Sequence, residues 1–356
     1  MKTRSKLITL VLVLACMVSV SVYAFSADVV KVGLILIGSS KDQGWSQTHY
    51  ENMKTAVESF DGKVELVFEE EVLDPMFPEA ARDMVLFDKV DIIFAASATY
   101  QGAIIELADE FPDVKWEFTD PTVVEPKPNV RGYYVRYYEG NFLCGVAVGR
   151  VLRASGISLE GKLVGLVSSI PFPLTVRNAN AAAAGVRYGL SYDIPAKVSW
   201  LGFVSENPWY NPDQEASLGH ALVDGGAVAL SSYLDSTAVI EVGEERGVLT
   251  FGITRDNTPF GPDTNVGNSI VDWTDYYKDR IQKVIGGTWD PGSTWAHLLS
   301  TPRIELGPLG DFVSPEFVQE ILYLQEKIST GEFVVLPQLT EEELLTSMEY
   351  LEGVEG

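Results

Sequence analysis

The stretch that most constrains the fold is residues 31–51, KVGLILIGSSKDQGWSQTHYE. Residues 32–37 form an apolar run too short for a helix and rich in branched side chains. That predicts a strand buried on both faces, as in a parallel sheet. Gly38, Ser39 and Ser40 break the run. From about Ser46 the pattern becomes helical, with Tyr50, Met53, Val57 and Phe60 three or four apart. The loop between strand and helix therefore lies at the carboxyl end of a parallel strand, the edge on which open α/β sheets bind ligands. Trp45 stands in this loop between Gly44 and Ser46, with Asp42 just before it. A tryptophan in a polar loop either caps a core or offers its face to a flat ligand, and the loop alone leaves both readings open.

The same unit recurs at roughly forty-residue intervals, the mark of a doubly wound α/β fold. Strands are expected at 64–70, 90–95 and 114–119, then again at 162–167, 196–203, 227–230 and 248–253. Helices are expected between them, with a final amphipathic one at 316–328. Trp116 and Trp200 fall inside strand patterns and belong to the core. Asp42, Ser97, Tyr100 and Asp120 follow strands of the first series. Phe172, Trp209, Tyr210, Asp235 and Asp256 follow strands of the second. Two halves with loop-rich rims describe a two-lobed clamp. The expected lobes are 31–135 plus 255–297 and 136–254 plus 298–340, with 341–356 as an acidic tail.

Lys2, Arg4 and Lys6 precede an apolar run, and Val22-Tyr23-Ala24 gives a small-x-small cleavage pattern. Residues 1–24 are read as a secretory signal peptide. An alternative has Cys16 lipidated in a loose lipoprotein box. Either places the mature protein outside the cytoplasmic membrane, periplasmic or extracytoplasmic. After cleavage at Ala24, Cys144 is the remaining cysteine, so no internal disulfide forms and the core must hold the chain together. Cys144 sits in an apolar helical stretch and reads as a buried small hydrophobe. The formal net charge of −24 disfavours nucleic acid and anionic membrane surfaces as partners. Three scattered histidines, and the lack of P-loop, G-x-G-x-x-G and G-x-S-x-G motifs, give no support for a metal site, a cofactor or an enzyme.

Several segments taken together resemble the basic-membrane-protein family of extracytoplasmic substrate-binding proteins, which serve ABC importers and include purine nucleoside receptors. They are GSSKDQGWSQTHYE, DIIFAASATY, FPDVKWEFTD, YEGNFLCGVAVGRV, GLVSSIPFPLTVRNANA, NPWYNPDQEA and GVLTFGITRDN. The resemblance implies a type I periplasmic-binding-protein fold: two α/β lobes, three crossovers, and the ligand in the cleft. It implies that Trp45 and Trp209 sandwich a base and that Asp120 contacts its edge, with Asp42 the acid before the first aromatic. Two polar anchors of the nucleoside receptors are replaced here, an aspartate by Thr254 and a lysine by Asp272.

The function expected on this basis is capture of a purine base or nucleoside for an ABC permease, by a monomer without cofactor. The alternatives are a ligand-sensing receptor for a signalling partner and, third, a nucleoside-processing enzyme. The candidate ligand-binding residues are Asp42, Trp45, Ser97, Tyr100, Asp120, Phe172, Trp209, Tyr210, Asp235 and Asp256.

Overall fold

The computed structural model describes residues 29–119 and 126–356. The expected signal peptide, Cys16 and Asp120 lie outside these residues. In the first half come β1 (Val30–Leu36), α1 (Trp45–Glu58), β2 (Val64–Glu69), α2 (Phe77–Asp83), β3 (Ile92–Ala96), α3 (Gln101–Glu110), β4 (Lys115–Phe118) and β5 (Val130–Val135). The second half begins with α4 (Tyr137–Ser155), β6 (Leu163–Ser168), α5 (Pro173–Leu190), β7 (Ala196–Trp200) and α6 (Pro212–Asp224). It continues with β8 (Ala227–Tyr233), α7 (Ala238–Arg246), β9 (Leu249–Thr254) and β10 (Asn265–Asp272). The chain ends with α8 (Thr274–Ile285), β11 (Gly292–Ala296), β12 (Arg303–Leu306), α9 (Pro315–Ser329), α10 (Glu341–Thr346) and β13 (Val354–Glu355).

The strands form two sheets. The first has the order β11-β5-β4-β3-β1-β2 and is parallel throughout. β1 runs between β2 and β3, and its Val32, Leu34, Ile35 and Leu36 are wholly buried, as a two-faced apolar run requires. The second sheet has the order β12-β10-β9-β8-β6-β7-β13, parallel except where β12 runs against β10. Each sheet with its helices is a doubly wound α/β lobe. Trp116 and Trp200 are core residues and Cys144 is a buried free thiol.

The chain passes between lobes at three places: from β5 into α4, from β10 into α8, and from β11 into β12. The Arg136 N–H donates to the Ala296 carbonyl (2.9 Å), tying the first passage to the third. The Trp273 N–H donates to the Asn52 side chain (2.8 Å), anchoring the second on α1. Among the described residues no helix is long and apolar enough to cross a membrane.

Two expected boundaries need correction. The expected first lobe includes residues 265–272, but β10 pairs with β9 in the second sheet, and return to the first begins at α8. The run NVGNSIVD is apolar enough for either sheet, and its lobe is decided by pairing with β9 and β12, which local pattern does not encode. The acidic segment 341–356 is no separate tail. β13 adds to β7, and α5 holds the segment through its backbone. Arg177 donates to the Leu344 carbonyl, and Arg187 to those of Glu352 (2.7 Å) and Gly353 (2.8 Å). The Asn180 side chain bonds Glu349 and Leu351.

Candidate functional site

The two lobes meet around a cavity of ≈ 300 Å³ at the carboxyl ends of the strands, at the small end of the range usual for ligand sites, about 300–1,000 Å³. The first lobe contributes Ile37 after β1, Trp45, Ser97, Ala98 and Thr99 after β3, Thr119 after β4 and Tyr134 in β5. The second lobe contributes Phe172, Leu174, Trp209, Tyr233, Leu234, Asp235 and Ile253.

Trp45 is positioned by the loop that the sequence builds after β1. The Gly38 N–H donates to the Ser46 hydroxyl (3.0 Å) and the Ser40 N–H to the Glu70 carboxylate (2.6 Å). Asp42 accepts from the backbone N–H groups of Gly44 (2.8 Å), Ser46 (2.9 Å) and Gln47 (3.1 Å). That carboxylate thus satisfies the free donors that open α1, as a capping acid does. The Trp45 indole N–H donates to the Ala96 carbonyl (2.8 Å), and the ring abuts His49 edge-on at 4.4 Å. With its polar edge satisfied, the half-buried indole has only apolar surface to offer.

The facing wall comes from the second lobe. The Asn207 side chain accepts from the N–H groups of Trp209 (3.1 Å) and Tyr210 (3.2 Å), a local turn that sets the Trp209 loop. Asn211 then caps α6 through the Gln214 N–H (3.3 Å). Phe172 meets Trp209 edge-to-face, with ring centres 6.1 Å apart and planes at 84°. At the base of the cleft the hydroxyls of Tyr134 and Tyr233, one from each lobe, lie 3.1 Å apart. Burial pushes both phenols well above their usual range.

The carboxylate on the cavity wall is Asp235. Burial pushes its proton affinity well up, and the neighbouring Asp42 and Glu215 carboxylates add to this, while the Trp45 backbone N–H opposes it. Glu215 is fully buried and accepts from Ser236 (2.5 Å) and the Asn211 N–H (2.8 Å). The remaining polar side-chain atoms on the wall are hydroxyls and the Trp209 indole N–H. Ser97 and Thr99 bond each other at 2.7 Å. The Thr119 hydroxyl has no hydrogen-bond partner among the described residues.

The cavity therefore gathers Trp45, Ser97, Phe172, Trp209 and Asp235 from the candidate residues and leaves four others off its wall. Asp42 caps α1. Tyr100 is a core residue, stacked on Phe77 at 4.1 Å with its hydroxyl on the Val72 carbonyl. Tyr210 is exposed beside the loop. Asp256 is exposed and accepts from the Thr258 N–H (3.0 Å). Asp120 lies outside the described residues. Sequence reasoning did not single out Tyr134, Tyr233, Leu234 or Thr119. Their signal was position: each ends a strand, or follows one, on the carboxyl edge.

A parallel two-sheet clamp with an aromatic interlobe cavity is one arrangement that proteins retrieving small molecules share. The family model described as "ABC transporter substrate-binding protein PnrA-like" (Bmp) matches residues 29–338. The chain belongs to the Bmp family. Bmp proteins are solute-binding components of ABC transporters, acting outside the cytoplasm on a small molecule for a membrane permease. A purine-binding protein of Brucella abortus is 33% identical over 272 residues, covering 76% of this chain and 73% of that protein. A Haloferax volcanii protein, TsgA13, named as a candidate glucose-binding protein of an ABC transporter, is 28% identical over 335 residues, 92% of this chain and 81% of its own. Among solved structures, an ABC solute-binding protein from Aeropyrum pernix K1 superposes with a TM-score of 0.72 at 17% identity, covering 88% of this chain and 97% of its own. One from Conexibacter woesei gives 0.67 at 20% identity, covering 86% and 98%. These likenesses establish the type I periplasmic-binding-protein fold for the Bmp chain.

Proposed function

We propose that this protein captures a purine base between Trp45 and the Phe172–Trp209 wall and delivers it to an ABC permease. The observation that carries the reading is a cavity walled by aromatic side chains from both lobes, with a single carboxylate, Asp235, on it among the described residues. A purine buries two flat faces, and each base–aromatic stack contributes roughly 1–3 kcal/mol. Stacking accepts any base, so discrimination falls to the edge, where a carboxylate accepts from ring N–H or exocyclic amine. The Brucella relative's name points the same way. A hexose suits the site less well: its ring of hydroxyls needs many partners, and each polar group buried unpaired costs about 1–3 kcal/mol.

A free base is favoured over its nucleoside. Thr254, in the place of a sugar-holding aspartate, is buried and off the cavity wall. Asp272 accepts from the Thr274 N–H (2.8 Å) and so caps α8. Asp256 is held in its own turn. None of these stands ready for a ribose. Calorimetry comparing adenine with adenosine tests the reading, and adenine is expected to bind more tightly. Equal or tighter binding of adenosine would overturn the preference, and silence from every purine would overturn the ligand class.

A further inference from the structure

The aromatic walls and the acid between them have an electrostatic sense that ring stacking alone leaves unused. We propose that the cavity selects a flat heteroaromatic ligand carrying a positive charge, held between Trp45 and the Phe172–Trp209 wall with Asp235 as its counter-ion. The inference rests on the cavity being the ligand site, and goes beyond the purine reading by fixing the charge.

Three observations carry it. Five aromatic rings border the cavity, and the faces of such rings attract cations, tryptophan most strongly. No lysine, arginine or histidine is among the described residues lining it. The charged neighbours acting on Asp235 are Asp42 and Glu215, both of its own sign. Those two carboxylates are already bonded by neutral donors: three backbone N–H groups for Asp42, Ser236 and the Asn211 N–H for Glu215. For Asp235 the opposing influence is the Trp45 backbone N–H, a neutral group, and it is outweighed.

The nearby buried arginine does not supply the missing charge. The Arg177 guanidinium is off the cavity wall, lies over the rings of Trp295 (5.2 Å) and Tyr138 (5.6 Å), and donates to the Leu344 carbonyl. A neutral ligand would seal Asp235 in a low-dielectric cleft where it must take up a proton, whereas a cation pairs with the ionised carboxylate. The field of a chain with a formal net charge of −24 also concentrates cations at its surface.

The test is calorimetry with two pairs of probes of like shape and different charge: nicotinamide with 1-methylnicotinamide, and 9-methylguanine with 7,9-dimethylguaninium. The cation of each pair is expected to bind at least about tenfold more tightly. Asp235→Asn, which keeps the shape and one acceptor oxygen but removes the charge, is expected to erase the difference, with Asp235→Ser as a second variant should the first fold poorly. A preference in the nicotinamide pair with neither purine bound would uphold the charge inference and remove the purine reading. Neutral 9-methylguanine binding as well as or better than its cation would overturn the inference and leave the purine reading standing. Binding of none of the four would overturn both.

Discussion

Trp45 and His49, one turn apart on α1, share an aromatic cluster and take opposite roles in it. Trp45 is half-buried, with its indole N–H tied to Ala96, and lines the cavity. Trp45→Ala and Trp209→Ala should each weaken ligand binding by roughly 1–3 kcal/mol, read by calorimetry. An unchanged affinity in both would remove the sandwich. His49 lies wholly inside, stacked on Trp273 at 4.7 Å with its Nδ1 against the Tyr277 hydroxyl. Burial lowers its pKa from 6.5 to about 3. Above 6.5 the ring is neutral folded or unfolded, and it contributes no pH dependence. As pH falls below 6.5 the unfolded chain takes up a proton that the folded one refuses. Stability should then decline by up to about 1.4 kcal/mol per pH unit until about 3. Denaturant titrations across that range should show a shallower acid limb in His49→Gln. At this scale, residue type foretold chemistry better than placement. Asp42 and Asp235 read alike as acids in strand-end loops, yet one caps a helix and the other lines the cavity. Which of the two lines the cavity depends on where the second lobe comes to rest.

The contact between α4 and α5 is set by glycines spaced four apart on both helices. A Cβ at Gly145 would lie 2.5 Å from the Ala182 carbonyl oxygen, and one at Gly185 would lie 2.1 Å from that of Phe142. Backbone cannot step aside as a side chain can, so Gly185→Ala must spread the pair or strain it. The expected cost is about 1–3 kcal/mol, seen as a lower thermal midpoint. Gly102→Ala in α3 is the control. Nothing lies within 4 Å of its Cβ, and helix propensity alone should stabilise by roughly 0.5–1 kcal/mol. The elements themselves were legible because each carried its own period: β1 an apolar run, α9 an amphipathic stripe, α5 a string of small residues. Their assembly was less so. β10 entered the second sheet, and residues 341–356 docked on α5 and β7, through partners far away in the sequence.

At the scale of the whole molecule, hinged two-lobed binding proteins close around their ligands, and here single side chains are expected to tip that balance either way. The lobes touch where Gly44 meets the backbone of Asp235: a Cβ there would sit 2.4 Å from the Asp235 carbonyl oxygen. Nearby, Glu51 and Arg255 pair across the cleft at 2.9 Å, but both are partly exposed, and such a pair contributes less than about 1 kcal/mol. Gly44→Ala should therefore hold the cleft open and weaken ligand binding while leaving each lobe folded. Asp235 pulls the balance the other way. The Asp235 carboxylate is buried beside Asp42 and Glu215 with its pKa raised in this arrangement, and opening the cleft to solvent is expected to bring that pKa back down. The closed form thus binds the proton more tightly. Unliganded closure is favoured below the ordinary carboxylate range and is lost as pH rises through the raised value. Asp235→Asn removes that penalty, so at neutral pH the unliganded variant should be more closed than the wild type, and its closure should depend less on pH. Small-angle scattering reads both predictions through the radius of gyration. If Asp235→Asn and wild type give the same radius at every pH, while Gly44→Ala expands both, then backbone contact alone governs the clamp and the buried charge does not act on it.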